Sequence, residues 1–382
     1  MRIPDAGAAS GPADTRTGAI LTVDLAAIVA NYRLLCERLG NTRCAGVVKA
    51  DAYGLGARKV APALWYAGCR SFFVATLDEG LELRSCLPEG EIFVLHGDVL
   101  GSAGEFVEHR LIPVLNSLEE ISAWTRAASD RGSALPAAIH IDSGMSRLGL
   151  PPGELKVLLA EPDRLDGIDL KLVMSHLACS EDDSHPQNAQ QLGAFRNAVA
   201  RLRPAATRLS LANSSGIFLG REYHFDLVRP GAALYGLNPR PAQPNPLRQV
   251  VRLQGKILQL REIDTGTPVG YGATHRSARP ARLATIGLGY ADGYFRSLGN
   301  RGIAVAGGKR VPVVGRVSMD LLTLDVSEVP QTSLRLGDYV DLIGPEITVD
   351  EVAERAGTIG YEILTSLRHR YARRYLPAET AT

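Results

Sequence analysis

Residues 47–57 read VVKADAYGLGA. An apolar run reaches Lys49 and passes at once into a glycine-containing loop. Burying an unpaired ammonium is costly, so such a residue belongs where a strand leaves the core. The run therefore predicts a strand over Cys44–Ala50 that delivers an amine to its C-terminal end. On position alone the more ordinary reading is a lysine that snorkels toward water. A partly desolvated lysine, by contrast, gains neutral character and can condense with an aldehyde.

The same texture repeats downstream. Apolar runs at Ser71–Thr76, Glu91–His96, Leu111–Leu115, Pro136–Asp142, Asp169–His176, Arg208–Asn213 and Asp226–Arg229 bring the strand candidates to eight. Stretches such as SFFVAT (71–76) suit strands covered on both faces, as in a parallel sheet. Helical period marks Arg58–Ala67, Leu77–Cys86, Ser117–Asp130, Pro152–Ala160 and Asn188–Arg201 between them. Eight strand–helix alternations predict an α/β fold in which residues 16–240 close into a (β/α)8 barrel of the TIM type. Active sites of that barrel gather at the C-terminal strand ends, where Lys49 falls.

At residues 238–246, NPRPAQPNP, four prolines among nine residues read as a linker. Beyond it, residues 247–382 predict a mainly β C-terminal domain, with strands at Val250–Leu260, Ala281–Gly287 and Arg310–Val317 separated by turn residues. A helix near Thr348–Ala356 and a basic helix over Ser366–Tyr375 are expected to close the chain, and a strand near residues 18–23 is a candidate to join this domain. Residues 1–15, rich in Ala, Gly, Ser and Pro, read as a disordered lead-in without the apolar segment of a signal peptide.

Composition narrows the function classes. Of 382 residues, 45% are hydrophobic and 22% charged, as in globular chains with a sizeable core. Lys and Arg number 42 against 41 Asp and Glu, a net charge of +1 that leaves no electrostatic footprint for nucleic acid or an acidic membrane surface. No stretch approaches the roughly 20 apolar residues of a membrane helix. The five cysteines, Cys36, Cys44, Cys69, Cys86 and Cys179, contain no C-x-x-C pair, so neither a disulfide framework nor a metal site is expected. These features predict a soluble, cytoplasmic protein.

The wording of residues 47–57 adds a second kind of information. VVKADAYGLG resembles the pyridoxal-phosphate attachment motif of alanine racemases, a fold-type III family of pyridoxal-phosphate enzymes. The resemblance continues in order through DSGMSRLG (142–149), SHLACSE (175–181), LANSSG (211–216), VRPGAALYG (228–236), GYGATH (270–275), GYADGY (289–294), GRVSMD (315–320) and GTIGYEILTSL (357–367). It covers roughly residues 20 to 375 and implies the cofactor pyridoxal 5'-phosphate, alanine as substrate and a homodimer with composite sites.

Racemisation removes a proton from Cα and returns one to the opposite face, which needs two bases. The resemblance makes Lys49 the cofactor's amine partner and the base toward D-alanine. It makes Tyr271 the base toward L-alanine. A phenol with an ordinary pKa of about 10 is a poor base at neutral pH, so cationic neighbours are expected around it. Arg229 is implied at the pyridine nitrogen, held by His176. An arginine there disfavours protonation of that nitrogen, weakens the ring as an electron sink and should suppress transamination.

Ser214, Gly231, Ala232, Tyr53 and Tyr361 are implied around the phosphate, where backbone N–H groups suit an anion. Arg147 and Met319 are implied at the substrate, and Tyr290 and Tyr361 at the entrance. Tyr271 and Met319 would reach the site of the opposite subunit. The sequence departs from the family at His140, where many members carry a carbamylated lysine; a carbamate cannot form on histidine, so another acceptor must orient Arg147. A broad-specificity or serine racemase and a fold-type III amino-acid decarboxylase remain alternatives, as does a single-domain cofactor-binding barrel. The sequence leaves open whether D-alanine is made for peptidoglycan or degraded.

Overall fold

Seven parallel strands follow one another in chain order in the computed structural model: Gly46–Val47, Ser71–Val74, Glu91–Val94, Ile112–Leu115, Leu135–His140, Ile168–Met174 and Arg208–Ser210. The structure describes residues 16–97, 99–202 and 207–378, so the expected lead-in over residues 1–15 lies outside the described residues. An eighth strand, Leu227–Val228, pairs in parallel with Arg43–Cys44, just ahead of the first. Ala45 N donates to the Val228 carbonyl at 3.0 Å and Arg229 N to the Ala212 carbonyl at 3.0 Å, which joins the eighth strand to both neighbours. The (β/α)8 barrel expected from the alternation is thus formed.

The barrel is filled by its strands and sealed by its helices. Phe72, Phe73 and Phe93 are fully buried, and the last two stack with ring centroids 4.7 Å apart. Helix Leu118–Arg131 shows why these segments fold as they do. Ser117 caps its first turn by accepting from Glu120 N, Ile121, Trp124 and Ala128 fall on the buried face, and Gly132, at φ 68°, ends it in the left-handed region.

Among the described residues, 16–24 with 249–377 form one compact unit, and 25–248 the other. In the first, the 13-residue strand Val251–Ile263 pairs antiparallel with Ala19–Asp24, Ala281–Ile286 and Tyr339–Ile343. Its leading half alternates buried and half-buried residues, the pattern of a sheet with one covered face. Thr348 caps the expected helix, Val349–Ala356. The expected basic helix over Ser366–Tyr375 is not formed. A short helix, Gly360–Ser366, precedes strand Ala372–Leu376, which pairs in parallel with Ala19–Asp24. A partner from the far end of the chain overrides local helical period here. No helix among the described residues is long and apolar enough to cross a membrane, and no cluster of three or more His, Cys, Asp or Glu among them is placed to hold a metal ion.

Candidate active site

Lys49 lies at the C-terminal end of the first barrel strand, which stops at Val47, earlier than Ala50. The next residues form a left-handed turn: φ is 52° at Ala50, 53° at Asp51, 54° at Ala52 and 57° at Tyr53. That conformation costs roughly 1–2 kcal/mol per non-glycine residue, so the surroundings must impose it. Glu79 does much of this, accepting from Ala50 N and Ala75 N at 2.7 Å each. Asp51 accepts from Ala57 N at 2.6 Å, and the Tyr53 ring packs on Tyr235 at 4.7 Å. The turn fixes where the backbone of Lys49 sits. Burial lowers the Lys49 pKa, the Arg147 charge adds to this, and Glu79 opposes it. The amine is biased toward the neutral, nucleophilic form.

Arg229 ends the eighth strand and is 4% exposed. It donates to Ser210 Oγ and, at 2.5 Å, to the Ser175 carbonyl. No carboxylate pairs with it among the described residues, and burial lowers its pKa to about 9. A guanidinium has five N–H donors, so this buried cation keeps donors for one more acceptor. The hydrogen bond implied between His176 and Arg229 is not formed; the two serines hold the guanidinium instead. Burial, then Arg229, Arg147, His140 and Lys49, push the His176 pKa well below its ordinary value, so its ring is neutral.

A corner of backbone lies after the seventh and eighth strands. Ser214 Oγ accepts from Gly231 N at 3.0 Å and Ala233 N at 3.1 Å. The Ala232 N–H between them has no acceptor among the described residues, although the residue is buried. A Cβ on Gly231 would stand 2.4 Å from Tyr53 Oη, so the phenol rests directly on the glycine backbone. A buried backbone donor without a partner is costly, and an anion is its natural complement.

Arg147 projects from a loop that Asp142 shapes. Asp142 Oδ1 accepts from the backbone N–H of Gly144, Met145 and Ser146 at 2.9, 3.0 and 3.1 Å. The loop closes where Leu150 N donates to the His140 carbonyl at 2.8 Å and Asp142 N to that of Leu150 at 3.0 Å. Arg147 is exposed and forms no hydrogen bond or ion pair among the described residues. Its charge nonetheless acts on Lys49, His140 and His176, which places all four in one electrostatic neighbourhood.

The remaining sequence-derived residues belong to the other unit. Tyr271 is 71% exposed, between Gly270 and Gly272, both of positive φ. A Cβ on Gly272 would stand 2.9 Å from Arg316 Nη1, so a guanidinium lies against the loop that carries the phenol. Tyr290 and Met319 are brought together: Tyr290 N donates to the Ser318 carbonyl at 3.0 Å and Ala291 N to that of Met319 at 2.9 Å. Met319 is 53% exposed and Tyr290 is also exposed. Arg370 ties this cluster down through Asp292 at 2.7 Å and Asp320 at 2.8 Å. Tyr361 lies half-buried on helix Gly360–Ser366.

Sequence reasoning missed Glu79, Asn116, Ser175 and Ser210. Glu79, and the Glu120 that holds the Asn116 backbone, had a signal. T-x-x-E at 76–79 and S-x-x-E at 117–120 are capping-box patterns, and in each the serine or threonine caps the helix that follows. Each glutamate instead turns to the strand end: Glu79 to Ala50 and Ala75, Glu120 to Asn116 N at 2.5 Å.

An amine biased toward neutrality at one strand mouth, a buried guanidinium with free donors at another and an orphaned N–H beside Ser214 fit the aldehyde, ring nitrogen and phosphate of pyridoxal phosphate. Such a barrel with an appended β unit defines a barrel-type pyridoxal-phosphate enzyme. Residues 23–239 match the model of the alanine racemase N-terminal domain and residues 250–375 that of the C-terminal domain. The chain is 55% identical to alanine racemase of Rhodospirillum rubrum over 364 residues, 95% of this chain and 97% of that protein. It is 52% identical to a catabolic alanine racemase of Mesorhizobium japonicum over 95% of this chain and 94% of that one. It superposes on the crystal structure of alanine racemase from Bartonella henselae with covalently bound pyridoxal phosphate, with a TM-score of 0.90, 45% identity and coverage of 94% and 99% of the two chains. The chain belongs to the alanine racemase family, whose members are pyridoxal-phosphate-dependent isomerases.

Proposed function

We propose that this chain interconverts L-alanine and D-alanine with pyridoxal phosphate, using Lys49 and Tyr271 as bases on opposite faces of Cα. The cofactor, when bound, supplies the electron sink that makes the Cα–H bond acidic. Lys49 holds its aldehyde, Arg229 meets its ring nitrogen, and Ser214, Gly231, Ala232, Tyr53 and Tyr361 surround its phosphate. Lys49 Nζ exchanges a proton with Cα on the face used by D-alanine, and Tyr271 Oη on the face used by L-alanine. Arg147 and Met319 position the substrate. Tyr290 and Tyr361 narrow the entrance and favour a methyl side chain by steric exclusion.

Arg229 carries this reading. A buried cation without a carboxylate partner suits an unprotonated ring nitrogen. The alternative reading, a fold-type III amino-acid decarboxylase, calls for a carboxylate at that nitrogen. The exposure of Tyr271, Tyr290, Met319 and Leu321 supports a homodimer in which a second copy covers them and receives Tyr271 and Met319 in its own site. Five free thiols suit a reducing compartment, and the proposal places the enzyme in the cytoplasm. D-alanine is either supplied to peptidoglycan or degraded.

The test is α-hydrogen exchange in deuterated water across a panel of amino acids, with chirality read in parallel. Alanine should exchange and invert well ahead of serine, arginine and lysine. Carbon dioxide release from any of them, or exchange led by an amino acid larger than alanine, would overturn the assignment.

A further inference from the structure

The barrel end opposite Lys49 carries a cleft of ≈ 440 Å³ over the starting ends of strands Glu91–Val94, Ile112–Leu115 and Leu135–His140. Its floor is apolar: Phe106, Trp124, Leu111 and Leu135 are buried, and the two rings meet edge to face at 5.9 Å. Its rim is cationic, with Arg84, Arg110 and Arg131 contributing to the lining.

None of these three guanidinium groups is paired with a carboxylate among the described residues. Arg84 donates to five backbone carbonyls, including those of His109 at 3.0 Å and Arg110 at 2.7 Å, and Arg110 donates to the Pro88 carbonyl at 2.9 Å. Carbonyl dipoles orient a guanidinium without neutralising it. Burial and then the charge of Arg110 lower the Arg84 pKa, as expected of two cations in one another's field. The Arg131 side chain forms no hydrogen bond or ion pair among the described residues. Two carboxylates line the cleft: Glu91 is committed elsewhere, to Arg208 at 2.8 and 2.6 Å and to Ser71 Oγ at 2.6 Å, and Glu89 is exposed, which leaves the three arginines in excess. Lining Lys171 already has Asp169 at 2.5 Å.

A second observation comes from the wall. Trp124 is fully buried and its Nε1 has no hydrogen-bond partner. Buried indole N–H groups ordinarily find one.

We propose that this cleft is a second ligand site, remote from the catalytic end, for a small carboxylate with an aromatic or branched apolar body. The carboxylate lies on Arg110 and Arg131, which matches the planar fork of each guanidinium, and the body packs on the half-buried Val107 and Pro136 of the lining. Mostly apolar walls with a few converging polar groups are the ordinary make-up of such sites.

Phenylacetate is the probe, titrated into the holoenzyme in the presence of saturating alanine, with phenylacetamide as its uncharged counterpart. Tryptophan fluorescence localises the event, because the chain has 2 tryptophans and Trp65→Phe leaves Trp124 as the sole reporter. Saturable quenching of Trp124 by phenylacetate is expected, weakened at least about tenfold by Arg110→Gln/Arg131→Gln and by the amide. Racemase activity should be unchanged in the double variant, whose two side chains are exposed. Arg147→Gln should bind the probe as wild type does. Displacement by alanine, loss in Arg147→Gln, equal binding of the amide or no saturable response would each overturn the proposal.

Discussion

His140 Nδ1 lies 3.0 Å from Asn116 Oδ1, and the Asn116 amide donates to the Val114 carbonyl at 2.7 Å and the Leu95 carbonyl at 3.2 Å. With both amide hydrogens committed, Oδ1 must face the imidazole and Nδ1 must carry the proton. Nε2 is left as an acceptor in the neighbourhood of Arg147. A neutral ring here replaces the carbamate that the family pattern places at this position. Burial, with Arg229 and then Arg147, lowers the His140 pKa to about 4, while Asp142 acts in the other direction.

This predicts a pH signature in stability. The unfolded chain takes up the His140 proton near the ordinary value of about 6.5, whereas the folded chain resists it down to about 4. The unfolded state therefore binds more protons in that window, and stability falls as pH drops through it, by about 3 kcal/mol in all. Denaturant unfolding of wild type and His140→Gln between pH 4 and 7 should show two curves that converge on acidification. Parallel curves would mean that His140 is not held neutral.

The left-handed turn after Lys49 depends on Glu79, whose two oxygens each accept a backbone N–H. Glu79→Gln keeps the shape but leaves one N–H facing another donor. The expected cost is about 1–3 kcal/mol in unfolding free energy, together with faster loss of pyridoxal phosphate on dialysis. A variant with unchanged stability and cofactor retention would show that the turn is held without this carboxylate.

Gly231 permits the approach of Tyr53 Oη, at 2.4 Å from where a Cβ would stand. Gly231→Ala should therefore weaken pyridoxal phosphate binding by at least about tenfold, or about 1.4 kcal/mol. Tyr53→Phe removes the colliding oxygen, so the double variant should recover part of the loss that the alanine causes. Additive losses across this cycle would contradict a direct contact.

Arg229→Glu brings a carboxylate to the cofactor's nitrogen in the proposed arrangement. Racemisation should fall, and pyridoxamine phosphate should accumulate during incubation with alanine to a level above that of wild type. Accumulation at the wild-type level would remove the case that this arginine limits the electron sink.

Much of the barrel was legible because its signals are local. SFFVAT at 71–76 and most of its counterparts are strands in the structure, trimmed by one to three residues, whereas Cys44–Ala50 keeps only Gly46–Val47 beside the short Arg43–Cys44. Two features were hidden for one reason: distant partners decide them. Ala50–Tyr53 carry no glycine, yet adopt a glycine-like conformation because Glu79 and Tyr235 impose it. Residues 372–376 look helical but form a strand because Ala19–Asp24 offers an edge. The site was legible mainly as motif. Position at a strand end pointed to the lysine and the resemblance gave Arg229 its role, whereas the serines that hold Arg229 lie on other strands and their part emerged only from the fold.

The central claim is that Lys49 and Tyr271 serve opposite faces of the same carbon. Its most direct measurement is the rate of deuterium incorporation at Cα from each enantiomer separately, in Tyr271→Phe. Exchange from L-alanine should fall by roughly 10²–10⁴-fold while exchange from D-alanine, through Lys49, largely survives. Equal losses from the two enantiomers, or none from either, would contradict the account.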